Sequence, residues 1–298
     1  MSVAPTQDPL AITPLVERGD EARVARRERV RLVLRSKTFV AGALIVAFWV
    51  FCALFGEAIA PKDAYASDPI ARLQAPSAEH WAGTDRLGRD VFSRVLAGAR
   101  DILIVAPLAT LLGTVLGTAI GLATGYFRGF VDDVLMRFVD AVLAVPLVIM
   151  GMLALTALGP SRVTVIVTIG VVFAPLIART VRAAVLSEAQ LDYVQAAKLR
   201  NERAPYIMFA EILPNVLAPV LVEFTVRLGY AIFVIATLSF LGLGIQPPAP
   251  DWGLQIFEHY VFMSGGVWWP VLAPSLAIAT LIVGVNLVAD GLTQAFER

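Results

Sequence analysis

An all-helical protein that crosses a membrane several times is the fold class this sequence predicts, and three observations predict it. First, 58% of the 298 residues are apolar, with a mean hydropathy of +0.75. Second, six apolar runs, at 38–60, 102–127, 141–161, 163–178, 216–245 and 267–289, approach or exceed the about 20 helical residues that a bilayer core demands. Third, charge is displaced to the ends and connections. Sixteen of the 24 Lys and Arg lie in 1–37, 126–140, 179–215 and 290–298, against seven in 61–100 and at Arg162. That imbalance predicts six spans with both termini in the cytoplasm. It also divides the chain into a tail (1–37), a first span with an extracytoplasmic segment (38–100) and a five-helix core (101–298), which carries a polar loop at 188–214.

Composition removes several functions. The net charge is zero, which gives nucleic acid no electrostatic footprint. The single cysteine, Cys52, has no partner for an intramolecular disulfide. None of the three lysines, Lys37, Lys62 and Lys198, follows a glycine, so a phosphate-cradling P-loop is absent. His80 and His259 have no second ligand at metal spacing. No nucleophile elbow or paired-histidine helix motif occurs. The expectation is a chain with no catalytic residue, metal or cofactor of its own.

The elements follow in order. The tail is too long and too Arg-rich for a cleaved signal. It reads as a solvated amphipathic helix or as a contact with anionic lipid heads. The run at 38–60 is therefore an uncleaved first span. In the outer segment 61–100, Gly83 and Gly88 predict turns, and the charges around Thr84, Asp85, Arg89 and Asp90 predict paired surface groups. In the second span Gly113, Gly117, Gly121 and Gly125 recur every four residues. They form a ridge that lets a neighbouring helix approach closely. Residues 128–140 read as a short connection, 141–161 as a third span interrupted by Pro146, and 163–178 as a fourth, extended by Arg179 and Arg182 snorkelling to the interface. In the fifth span, Glu223 and Arg227 are four apart and share a face. They fit either a bundle interior or water-filled pathway, or an ion pair at the inner interface. The sixth span opens at Trp268-Trp269, an interfacial belt, and carries Asn286 near its inner end.

The loop 188–214 has helical punctuation of its own. Asp192 to Leu199 contains no breaker, and Asn201 tolerates the left-handed conformation that closes a helix. Pro205 suits the first turn of a second short helix, which Pro214 limits. Ala196 and Ala197 present a low surface that a partner's cleft could approach, with Asp192, Lys198, Arg200 and Glu202 as charged neighbours. An amphipathic interfacial connector is the plainer reading.

Asp192-Tyr-Val-Gln-Ala-Ala-Lys, Asn201 and Ile212-Leu-Pro together resemble the coupling loop of binding-protein-dependent ABC importer permeases. The matching positions are Asp192, Tyr193, Gln195, Ala196, Ala197, Asn201, Ile212, Leu213 and Pro214. Gln195 stands where that family usually has Glu, and Asn201 where it has Gly. His80-Trp-Ala-Gly-Thr-Asp-Arg-Leu-Gly-Arg-Asp-Val-Phe-Ser-Arg, the stretch from Gly125 and the stretch Leu238-Ser-Phe-Leu-Gly-Leu-Gly-Ile-Gln-Pro-Pro with Asp251-Trp-Gly are similar to the dipeptide/oligopeptide/nickel group, specifically its "C" subunit. The resemblance covers about residues 30–298. It implies a type I importer bundle in the bacterial cell membrane and a homologous "B"-type permease subunit. It further implies two ATPase subunits that bind ATP and Mg, and an extracytoplasmic substrate-binding protein. Loop 188–214 would couple ATPase closure to the pathway, with Glu223, Arg227 and Asn286 as pathway candidates. The expected cargo is a di- or oligopeptide, with nickel, glutathione or another small solute as alternatives. An ion-coupled secondary transporter is the competing class.

Overall fold

The computed structural model describes residues 36–296, so most of the tail lies outside the described residues. Nine helices carry this part of the chain: α1 (Lys37–Ile59), α2 (Val91–Phe127), α3 (Gly129–Leu143), α4 (Leu147–Leu158), α5 (Arg162–Glu188), α6 (Asp192–Leu199), α7 (Ala204–Phe240), α8 (Trp252–His259) and α9 (Trp269–Phe296). No strand is formed among them beyond a single bridge between Thr84 and Asp90. By length and apolarity α1, α2, α5, α7 and α9 suffice to cross a bilayer, and α3 with α4 would make a sixth crossing.

Where the helices depart from the sequence reading, the causes are local. α2 begins eleven residues before the expected 102, because Asp90 caps it by accepting the Ser93 amide at 2.8 Å. Its 37 residues are about 55 Å long, so one end stands well clear of a bilayer core. The expected connection at 128–140 is α3, and the expected third span is broken. α3 and α4 meet at 86°, because Pro146 has no amide proton and biases the residue before it away from helix. The expected second short helix of the loop is instead the start of α7, which runs on through Pro214. The chain accommodates that proline by widening into a π-helical turn at Ile207–Ile212, where the Leu213 amide donates to the Met208 carbonyl. A register shift of this kind relieves the clash of the proline ring with the preceding turn.

α2 and α5 form the most extensive helix contact of the bundle, and the glycine ridge is its seam. A β-carbon at Gly117 would lie 2.7 Å from the Ala174 carbonyl oxygen, and one at Gly121 2.7 Å from Val181 Cβ. Both obstructions belong to α5, so no rotamer change relieves them. Gly117→Val should therefore lower the melting temperature of the purified protein, since overpacking costs about 1–3 kcal/mol. An unchanged melt would mean that α2 and α5 separate freely. α1 packs on α2 and α9, where the Trp49 indole donates to Thr280 Oγ1 at 3.1 Å.

Candidate functional site

α6 is an eight-residue helix at the C-terminal end of α2, where the Lys198 ammonium lies 5.3 Å from the Tyr126 ring centre. Its closure is a Schellman motif. Asn201 adopts φ +58°, its amide donates to the Lys198 carbonyl at 2.9 Å, and the Glu202 amide donates to the Ala197 carbonyl at 3.2 Å. Any side chain with a β-carbon pays for that conformation unless it can bond locally. Asn201→Gly should be neutral or stabilising, and Asn201→Val should cost about 1–2 kcal/mol. Thermal melts of the two variants check this.

The helix divides the matched residues into two sets. Val194 and Ala197 are fully buried and join the core of the bundle, whereas Asp192, Gln195 and Ala196 are exposed. Ala196 and Ala197 thus do not share a surface: adjacent residues on a helix point about 100° apart. The outward face gains a residue the loop pattern did not single out, Leu199, which is 84% exposed. Asp192, Gln195, Ala196 and Leu199 follow the spacing of one helical face.

The remaining matched residues hold α6 to its flanks. The Tyr193 hydroxyl donates to Glu188 Oε1 at 2.8 Å and accepts from the Asn215 side-chain amide at 3.1 Å, tying the end of α5 to α7 just beyond its π-helical turn. Burial, reinforced by that bond to Glu188, pushes the phenol up to about 12, so it stays a neutral donor. Gln195 Nε2 donates to the Ala189 carbonyl at 2.9 Å, satisfying an orphan acceptor at the end of α5. An ionised glutamate has no proton to offer that carbonyl. Ile212 is buried, Leu213 is half-buried against the core and Pro214 is exposed.

The span charges are paired. Arg227 Nε and Nη2 both reach Glu223 Oε1 at 2.6 Å. Glu223 is buried and Arg227 half-buried, with the guanidinium 5.6 Å from the Tyr230 ring centre. Asn286 is not brought to this pair. It packs against α7 at Gly229, where a β-carbon would meet Asn286 Oδ1 at 2.5 Å. That position is two residues beyond Arg227 and therefore on the far side of the helix.

At the other end of α2 the expected surface pairs are buried. Thr84, Asp85, Arg89 and Asp90 are each at most 5% exposed. Asp85 accepts Arg89 Nε at 2.6 Å and the Leu87 and Arg89 amides, while Arg89 Nη2 reaches Glu258 at 3.1 Å. Asp90 takes His80 Nδ1 at 2.9 Å as well as the α2 cap. Gly83 and Gly88 turn the chain as expected, with φ of +70° and +74°. A β-carbon at Gly88 would sit 1.8 Å from the Asp68 carbonyl oxygen. α8 and α9 close the knot: the Trp252 indole donates to the Val95 carbonyl at 2.9 Å and the Trp269 indole to the Thr84 carbonyl at 3.0 Å. Arg94, 1% exposed, donates to the Ala64 carbonyl at 3.0 Å. His259 Nε2 accepts the Arg86 amide at 3.3 Å and Nδ1 lies 2.6 Å from the Gln255 carbonyl. Burial holds that imidazole below its ordinary pKa, matching a ring that donates on one side and accepts on the other. Sequence reading missed Arg94, Glu258 and His259 here, because the contacts that bring them into the knot reach partners 30 to 173 residues distant.

Apolar helices of spanning length, with a polar knot at one end and a tethered short helix at the other, define a multi-pass membrane protein. Residues 117–298 match the family described as binding-protein-dependent transport system inner membrane component. Residues 27–76 match the N-terminal TM domain of oligopeptide transport permease C. This chain belongs to that family of inner-membrane permeases, and it is a transport subunit rather than an enzyme. It is 35% identical to the dipeptide transport system permease protein DppC of Alkalihalophilus pseudofirmus, over 91% of this chain and 89% of that one. It is 36% identical to the glutathione transport system permease protein GsiD of Pectobacterium atrosepticum, over 97% and 95%. A solved structure of the MetNI methionine ABC transporter in inward-facing conformations shares the fold, with a TM-score of 0.56 and 18% identity over 69% of this chain and 97% of that one.

Proposed function

We propose that this chain is the C-type permease subunit of an ATP-driven peptide importer and that α6 is its coupling helix. In this reading both termini and α6 are cytoplasmic, and residues 101–298 form the transport core. A homologous permease subunit completes the pathway, two ATPase subunits bind ATP and Mg, and an extracytoplasmic binding protein delivers cargo to the knot end. The observation that carries it is the two-sided α6: one face locked into the bundle through Val194 and Ala197, the other presented outward through Asp192, Ala196 and Leu199. A short rigid helix fastened at both flanks moves α5 and α7 when a partner moves it. Di- and oligopeptides are the cargo favoured by the dipeptide permease relatives; the GsiD relatives make glutathione, itself a tripeptide, the second candidate. Ion-coupled transport is disfavoured, because of the two candidate coupling carboxylates Glu223 is already held by Arg227 and Asp290 is exposed near the end of α9.

The test is uptake of labelled dipeptide and of glutathione by proteoliposomes containing both permease subunits, the ATPases and the binding protein. Uptake of either that requires ATP and the binding protein is expected. Uptake driven by an ion gradient without the ATPases would overturn the reading.

A further inference from the structure

We propose that α3 is an in-plane membrane helix, seated at the headgroup–acyl boundary at the α6 end of the bundle with Phe130, Val134 and Phe138 among the lipid chains. The helix has three faces. At about 100° per residue, Asp132 and Val139 point to one side, and both are buried. Asp132 there accepts Arg182 Nε and Nη2 of α5 at 2.6 and 2.5 Å. Phe130, Val134 and Phe138 lie on a second side, and the two phenylalanines are 82% and 68% exposed. Asp133 and Arg137, also exposed, flank that stripe on a third side. A helix standing in water would not keep two phenylalanines outward, and one buried in lipid would not keep Asp133 and Arg137 outward. A boundary between the two media accommodates both.

Two further observations orient α3. Asp132 and Asp140 are about 12 Å apart along α3, yet their partners Arg182 and Arg179 are only about 4.5 Å apart along α5. Those pairs hold α3 to a short stretch of α5, and the 86° turn into α4 prevents α3 and α4 from both standing along the bundle axis. α4 has twelve residues, about 18 Å of helix, against a hydrocarbon core of about 30 Å. A crossing by α4 therefore falls short by about 12 Å, which its flanking residues and the depth at which it starts must make up. An interfacial helix immersed by about 5–10 Å supplies much of the shortfall.

The test uses the complete importer in nanodiscs, with the sole cysteine replaced (Cys52→Ala) and an environment-sensitive fluorophore attached through Phe130→Cys, Phe138→Cys or Asp133→Cys. Quenching by lipids brominated high on the acyl chain is compared with quenching by aqueous iodide. At 130 and 138 the bromolipid should quench severalfold more than iodide, and at 133 the order should reverse. Iodide dominating at 130 and 138 would overturn the proposal by placing the stripe in water. Failure of both quenchers there would overturn it by placing a protein subunit over the stripe. Two independent stripe positions guard against a single variant that misfolds. The readout involves no transported solute, so its failure is separate from failure of the importer reading.

Discussion

Ala196→Trp is expected to abolish uptake while leaving the protein inserted, folded and at normal abundance. Ala196 is exposed on α6, so an indole there projects away from the core of the subunit and would obstruct a partner seated against the helix. Ala197→Trp should fail differently. Ala197 has no accessible surface and sits among core residues, so a large ring there must displace the contact of α6 with the bundle, costing about 1–3 kcal/mol or more. Its expected signature is loss of folded protein, visible in a detergent melt. Co-purification of the ATPase subunits, scored beside uptake, separates the two cases. Normal uptake by Ala196→Trp would remove α6 as a docking element.

Glu223→Ala should be the most damaging single change in the spans. It strips the counter-ion from the half-buried Arg227, and breaking a buried pair from one side costs about 3–5 kcal/mol. Removing both charges with Glu223→Leu and Arg227→Met leaves no orphan, so folded protein should return. Uptake by this double variant then discriminates between the two sequence readings. A folded but inactive importer places the pair in the pathway. Full uptake makes it a structural pair only.

How much of this could be read from residues alone depends on the range of the interaction. Asn201 could be read as a helix terminator, because a left-handed turn after Leu199 is a local event governed by residues within one turn. The ridge of Gly113, Gly117, Gly121 and Gly125 could be read because a four-residue repeat survives folding unchanged. Its partner could not, since Ala174 and Val181 bear no mark of it in the sequence. Pro146 and Pro214 show the limit of local rules. Both should end a helix; one turns the chain by 86°, while the other is absorbed by a π-helical turn, and the packing around each decides which outcome is cheaper.

The charged stretch from Thr84 to Asp90 makes the same point about burial. Its turns at Gly83 and Gly88 were legible, but its mixed charges look like any solvated surface. Only α8 and α9, brought back from more than 160 residues away, seal it from water and supply Glu258 and the Trp269 indole. The sequence by itself determined the class of molecule: apolar run length, charge bias and the loop pattern are set by transfer free energies and local helix chemistry, which no packing reverses. Tertiary structure decided which alanine of the pair faces outward, that Gln195 is committed to the Ala189 carbonyl, and that Asn286 stands apart from Glu223 and Arg227. Those are matters of direction, and a side chain has no direction until the helices around it are packed.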